Sequence, residues 1–147
     1  MNPKSTLSIA GHPVHPMLVP FPIAFFVGAL LTDIVHTQSD DPFWPSASSW
    51  LLGAGLISAI LAALSGLTDF LGEARIRSLR AAWYHMLGNV ALVAIEAFNL
   101  WRRVADGLDF VIPMGLVLSL VATVVLLFNG WKGWEMVYRH RVGISDK

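Results

Sequence analysis

The stretch Trp50–Leu71, WLLGAGLISAILAALSGLTDFL, decides the fold. Asp69 is its one charged residue. A helix rises 1.5 Å per residue, so about 20 residues cross a hydrocarbon core of about 30 Å. Gly53, Ala54, Gly55, Ser58, Ala59, Ala62, Ala63, Ser65 and Gly66 give this helix a small-residue surface on which neighbouring backbones can approach closely. Three further stretches of similar length and character flank it: Leu18–Val35, Trp83–Trp101 and Phe110–Gly130. With their borders they predict spans at about 18–36, 48–72, 83–103 and 109–131. The spans use most of the chain, so residues 1–147 form a single domain with no room for a separate soluble one. Short loops make consecutive spans antiparallel neighbours. The expected fold is all-α, a membrane-spanning up-down four-helix bundle.

Composition agrees. The chain is 55% hydrophobic and 14% charged, with a mean hydropathy of +0.61. A soluble domain carries nearer a quarter charged residues. Net charge is zero, so nothing points to nucleic acid. The absence of cysteine excludes disulfides, thiolate metal sites and cysteine nucleophiles. The first span does not read as a cleaved signal: Lys4 is its only preceding positive charge, and no small-x-small site follows. Lys4, Arg75, Arg77, Arg80, Lys132, Arg139, Arg141 and Lys147 fall on one side of the predicted spans. Arg102 and Arg103 fall on the other, beside Asp40, Asp41, Asp106 and Asp109. Short loops rich in Lys and Arg stay cytoplasmic, so both termini are expected inside.

Polar residues in or beside such spans are costly and each needs a reason. Gly11-His12-Pro13-Val14-His15-Pro16 precedes the first span, and Pro20 and Pro22 follow. Each proline removes an N–H and restricts the residue before it. The entry is therefore expected to be extended or kinked, and tucked against the other helices. By depth, His12, His15, Asp69 and His85 all fall near the cytoplasmic boundary, with Glu135 and Tyr138 at the same level. Imidazoles and a carboxylate at one level suit a metal ion. Two imidazoles from different elements also suit the axial positions of a haem. For a haem, Arg75, Arg77, Arg80 and Arg139 would serve the propionates, and Gly66, Gly72, Gly88 and Gly130 would leave space for the macrocycle. Against this stands a plainer reading, in which the histidines are solvated at the interface and Asp69 caps a helix or pairs with Arg75.

The third span carries a polar stripe. His85, Asn89, Glu96 and Asn99 are spaced by four, seven and three residues and share one helix face. Glu96 lies eleven residues beyond His85, about 16 Å deeper. A bare carboxylate there would cost several kcal/mol. Glu96 should be protonated, paired across the bundle or reached by water. It serves either as a step in a proton path or as a helix–helix hydrogen bond. Asp33, nearer the outer face, can reach water or Arg102 and Arg103. His36 and His140 read as interfacial. No phosphate loop, nucleophile elbow or zinc-protease helix is present.

The His-Pro segment, Leu18-Val19-Pro20-Phe21-Pro22-Ile23, Asp33, Ser65-Gly66-Leu67-Thr68-Asp69, His85 with Asn89, and Gly130-Trp131 through Val137-Tyr138 to Val142-Gly143 resemble a bacterial family of four-span inner-membrane proteins catalogued as a domain of unknown function. The resemblance covers nearly the whole chain. The family's fourth span typically closes on a double glycine, whereas Trp134 follows Gly133 here, and Arg141 replaces a later glycine. Glu96 matches none of these motifs. Some relatives are joined to Rieske or cytochrome c modules, which implies membrane redox chemistry by analogy.

Three functions follow as expectations. The first is electron transfer to or from quinone or a redox partner, through b-type haem near the cytoplasmic side, with His15 and His85 as axial ligands and Asp69 and Asn89 orienting them. The second is divalent-metal binding, zinc or iron, by His12, His15, Asp69 and His85, for sensing, transport or storage. The third is a cofactor-free structural or assembly role, with Asp33, Glu96 and Asn99 as interhelical glue. A channel or carrier would need a homo-oligomer.

Overall fold

The structure is a computed structural model and describes residues 1–145. Lys147, one of the basic residues counted above, lies outside the described residues. The chain opens with a small hairpin, β1 (Ser8–Ile9) against β2 (His12–Pro13), with Ile9 opposite His12. Its turn residues Ala10 and Gly11 have φ of 50° and 80°, as a two-residue hairpin turn with both central φ positive requires. Then come α1 (Val14–Leu18) and α2 (Pro20–His36). Pro20 and Pro22 lie in the first turn of α2, where a missing N–H leaves no bond unmade. The proline-rich entry is thus a hairpin and a short helix.

Next come α3 (Phe43–Gly72), α4 (Ala74–Arg77) and α5 (Arg80–Asp106). A 3₁₀ turn, Leu108–Val111, leads to α6 (Met114–Trp134), which ends in a π turn, Glu135–Arg139. Helix α3 starts five residues ahead of the expected span: the Asp41 carboxylate accepts from the Phe43 N–H at 2.9 Å, and Pro45 fits a first turn. Helix α6 starts five residues later than expected. Gly107 breaks the chain at φ 84°, and the 3₁₀ turn and Pro113 use up the interval.

Among the described residues, three segments are long and apolar enough to cross a membrane: Val14–His36, Phe43–Gly72 and Met114–Arg139. Helix α5 is long enough, at 27 residues, but carries Arg80, Glu96, Arg102, Arg103 and Asp106. Helix α2 packs on α3 and α6, and α5 packs on the same two helices. Phe26, Ala29, Leu52, Ala59, Leu92, Ala122 and Leu126 fill the centre. Gly55 allows the closest approach: a Cβ there would lie 2.5 Å from the Phe26 ring. A second cluster, Phe70, Ile76 and Ala82 with Met136 and Val142, closes one end. There the terminal segments meet, where the Gly143 N–H donates to the Pro3 carbonyl at 2.8 Å.

The bundle is inverted relative to a water-soluble protein. Trp50, Ile57, Leu64, Val90, Trp101, Val124 and Leu127 are exposed, while Asp33, Glu96, Asn99 and Arg103 are buried. An apolar exterior with the charged and strongly polar groups kept inside is the distribution that a hydrocarbon solvent selects.

Candidate functional site

Two polar clusters occupy the interior, one toward each end. At the end away from the termini, Arg103 of α5 meets Asp33 of α2. The guanidinium donates from Nη1 to Oδ1 at 2.9 Å and from Nη2 to Oδ2 at 2.7 Å, with side-chain exposures of 1% and 0%. Ser48 of α3 donates to Asp33 at 2.5 Å and accepts from Arg103 at 2.6 Å. Ser119 of α6 donates to the other Asp33 oxygen at 2.8 Å. All four long helices therefore contribute to one ion-pair network. Burying a charge is tolerable only with this degree of pairing and hydrogen bonding.

The α5 stripe continues from that network. Arg103 Nε donates to Asn99 Oδ1 at 2.9 Å. The Asn99 amide donates in turn to Ser119 at 3.1 Å and to Glu96 Oε2 at 3.0 Å. Glu96 Oε1 is buried and has no partner among the described residues. Asp33 is thus paired with Arg103, whereas Arg102 turns outward to Asp106 at 2.6 Å.

At the terminal end, His15 of α1 and His85 of α5 come together. Their ring centroids are 6.0 Å apart and the rings are nearly perpendicular, at 88°. His15 Nδ1 lies 2.8 Å from the Ala62 carbonyl, and His85 Nδ1 lies 2.9 Å from the Asn129 carbonyl. A carbonyl only accepts, so each Nδ1 carries a hydrogen, which leaves Nε2 as the ring nitrogen that can offer a lone pair. Asn129 also donates from its amide to Asn89 Oδ1 at 3.2 Å. Asn89 therefore supports the helix that holds His85 and does not touch the ring in any bond described.

Glycines seat both rings. A Cβ on Gly66 would lie 2.9 Å from His15, and one on Gly133 would lie 3.3 Å from His85. The glycines expected to make room for a macrocycle are occupied instead: Gly66 by His15, Gly72 by Thr6 and Gly88 by Asn129, while Gly130 faces open space. Three of the four arginines expected near propionates have other partners. Arg77 donates to the Phe70 and Leu71 carbonyls, Arg75 pairs with Glu73 and Arg139 pairs with Glu135.

Asp69 lies one helical turn past Gly66 but holds the N-terminal segment. Its Oδ1 accepts from Ser5 Oγ at 2.9 Å, the Thr6 N–H at 2.7 Å and the Leu7 N–H at 3.0 Å. Among the bonds described, its carboxylate positions the hairpin that leads into His15. His12 is exposed and its Nδ1 lies 3.0 Å from the Ala10 carbonyl. His12, His15, Asp69 and His85 are thus not one cluster: only His15 and His85 meet. Among the described residues no three His, Asp or Glu side chains are grouped to hold a metal ion. Beyond Asp69, Glu73 caps α4 by accepting from the Arg75 N–H at 3.1 Å. Hydrogen bonds from the Arg75 side chain hold its carboxyl down at about 2.

Sequence reasoning missed Ser48, Ser119, Asn129 and the two carbonyls. Arg103, the centre of the larger network, was named only as one group that Asp33 could reach, although it also lies four residues past Asn99 on the same stripe.

A protein-family model described as "Predicted membrane protein (DUF2231)" matches residues 11–146. No curated protein and no solved structure matches the chain. The inverted bundle and the three apolar spans agree with that description, and the chain belongs to the DUF2231 family of membrane proteins.

Proposed function

We propose that this chain is a four-span up-down protein of the bacterial inner membrane that holds a transition-metal ion between His15 and His85, at the cytoplasmic end. Helix α5 serves as the fourth span. From Trp83 to Ala105 its exposed residues are Trp83, Tyr84, Leu87, Val90, Ala91, Ala94, Ala97, Phe98, Trp101, Val104 and Ala105. Its charges at Glu96 and Arg103 face the interior, so average hydropathy understates how apolar its outer surface is. The basic residues flanking the spans favour termini in the cytoplasm.

The observation that carries the metal reading is the imidazole pair. Both rings are oriented through Nδ1 by backbone carbonyls, the usual way a ligating histidine is fixed. With metal–nitrogen bonds of about 2 Å, two imidazoles on one ion have centroids roughly 5–6 Å apart, and the observed separation is 6.0 Å. Imidazole suits zinc, copper, iron and nickel. Two protein ligands leave the remaining positions to water or a small substrate, which favours metal handling over a closed structural site.

A b-type haem is the second reading, favoured by the same ring separation. It fits less well, because His15, Thr6 and Asn129 fill the space beside Gly66, Gly72 and Gly88. Electron transfer with quinone would go with that reading. Elemental analysis and an absorption spectrum of detergent-purified protein separate the two. A colourless protein with about one metal ion per chain supports the bare ion. A Soret band lost in His85→Ala supports haem. Neither metal nor chromophore, including after incubation with excess zinc, leaves a cofactor-free bundle.

A further inference from the structure

We infer that Glu96 is a proton-exchange site within the membrane, loaded from the end of the bundle that carries the imidazole pair. It lies eleven residues from His85 on α5, and the inference does not depend on a metal there. Glu96 is 0% exposed. One carboxyl oxygen accepts from Asn99 at 3.0 Å and the other has no partner among the described residues.

The charged groups facing it are Asp33 on α2 and Arg103 on its own helix, while α3 and α6 bring the neutral Ser48 and Ser119 to the network. Arg103 has both terminal nitrogens on Asp33 and its Nε on Asn99. That pair is neutral in sum. An ionised Glu96 would leave an uncompensated negative charge with one oxygen unserved by any side chain, closed off from bulk water, at a cost of several kcal/mol. Taking up a proton removes the charge and supplies the missing donor. The carboxylate gains a proton from hydronium and releases water, with no change in oxidation state.

Geometry sets the side of access. Toward the outer end, Arg103 is locked between Asp33, Ser48 and Ser119 with its Nε, Nη1 and Nη2 all committed to hydrogen bonds, so the ion pair plugs that end and does not relay a proton. Toward the other end lie Asn89, bonded to Asn129 at 3.2 Å, and then the partly exposed His85. Asn89 and Glu96 are separated by two helical turns, about 10 Å. Leu92, Ala122 and Leu126 are buried in that interval, so the proton crosses it on water that enters as the helices open, and Glu96 Oε1 is the unsatisfied group that would hold such water.

The test is infrared difference spectroscopy of the protein in lipid nanodiscs, stepped between acidic and alkaline buffer in H₂O and D₂O. The expected result is a carboxylic-acid carbonyl band that shifts in D₂O and is missing from Glu96→Gln. Asn89→Leu should keep the band but slow its deuterium shift at least tenfold. Labelling glutamate carboxyl carbons with ¹³C narrows the band to Glu73, Glu96 or Glu135, and the same label in Glu73→Gln with Glu135→Gln leaves Glu96 alone, should Glu96→Gln fail to fold. No labelled carboxylic-acid band, or one that persists in folded Glu96→Gln, overturns the site. An unchanged exchange rate in folded Asn89→Leu overturns the route.

Discussion

Arg103 of α5 grips Asp33 of α2 through two parallel hydrogen bonds of 2.9 and 2.7 Å, with both side chains essentially inaccessible. Two residues 70 positions apart are thereby fixed in one register, and Ser48 and Ser119 bring α3 and α6 to the same point. The pair acts as the bundle's registration point, because only one rotation of each helix satisfies every group.

Breaking that pair from one side should be severe. Arg103→Met leaves Asp33 buried and uncompensated, which costs about 3–5 kcal/mol. The double variant Asp33→Leu with Arg103→Met should recover most of that loss, since no charge is then stranded. Denaturant unfolding in mixed micelles checks both. A double variant no more stable than the single one would show that the network does more than balance charge.

Gly66→Ala should disturb the imidazole pair while leaving the bundle intact. The new Cβ would meet the His15 ring at 2.9 Å, inside normal contact, so the ring must shift from its present place beside His85. Helix propensity favours alanine over glycine by about 1 kcal/mol, so helicity should be unchanged or raised. Circular dichroism, with zinc titration alongside, separates these effects: helicity is retained and affinity falls at least tenfold.

Asp69→Ala should release the N-terminal segment. Three donors, from Ser5, Thr6 and Leu7, lose their acceptor, and hydrogen bonds to a charged group are worth about 1.5–3 kcal/mol each. Hydrogen exchange at the Thr6 and Leu7 amides should speed up by at least tenfold. Asp69→Asn, which keeps one carbonyl oxygen, should lose less.

Glu73 gives a pH dependence of known sign. Its carboxyl is held at about 2 against an ordinary 4.5 by hydrogen bonds from Arg75. The folded state prefers the ionised form, so its contribution is complete above the ordinary value and fades as pH falls toward 2. Carbon-13 shifts of the Glu73 carboxyl should titrate in that low range. They should return toward the ordinary value in Arg75→Gln.

The helices were legible because charge is scarce over lengths that match a bilayer, and because the inward stripe of α5 repeats at helical spacing. Asp33 and Arg103 were also named as possible partners, from depth alone. Depth bookkeeping fails on azimuth. It put His12, His15, Asp69 and His85 on one level but gave no rotation about the bundle axis, and Asp69 and His12 point elsewhere. Asn129, Ser48 and Ser119 carry no sequence signal beyond being small polar residues in apolar helices. Their roles arise only when other helices come alongside. The backbone carbonyls of Ala62 and Asn129 have no sequence signature at all.

X-ray absorption at the metal edge of zinc-loaded protein tests the imidazole-pair site most directly. Two imidazole nitrogens at about 2.0 Å, reduced to one in His15→Ala and in His85→Ala, is the result expected. A shell of oxygen alone, or a spectrum that neither substitution changes, would contradict it.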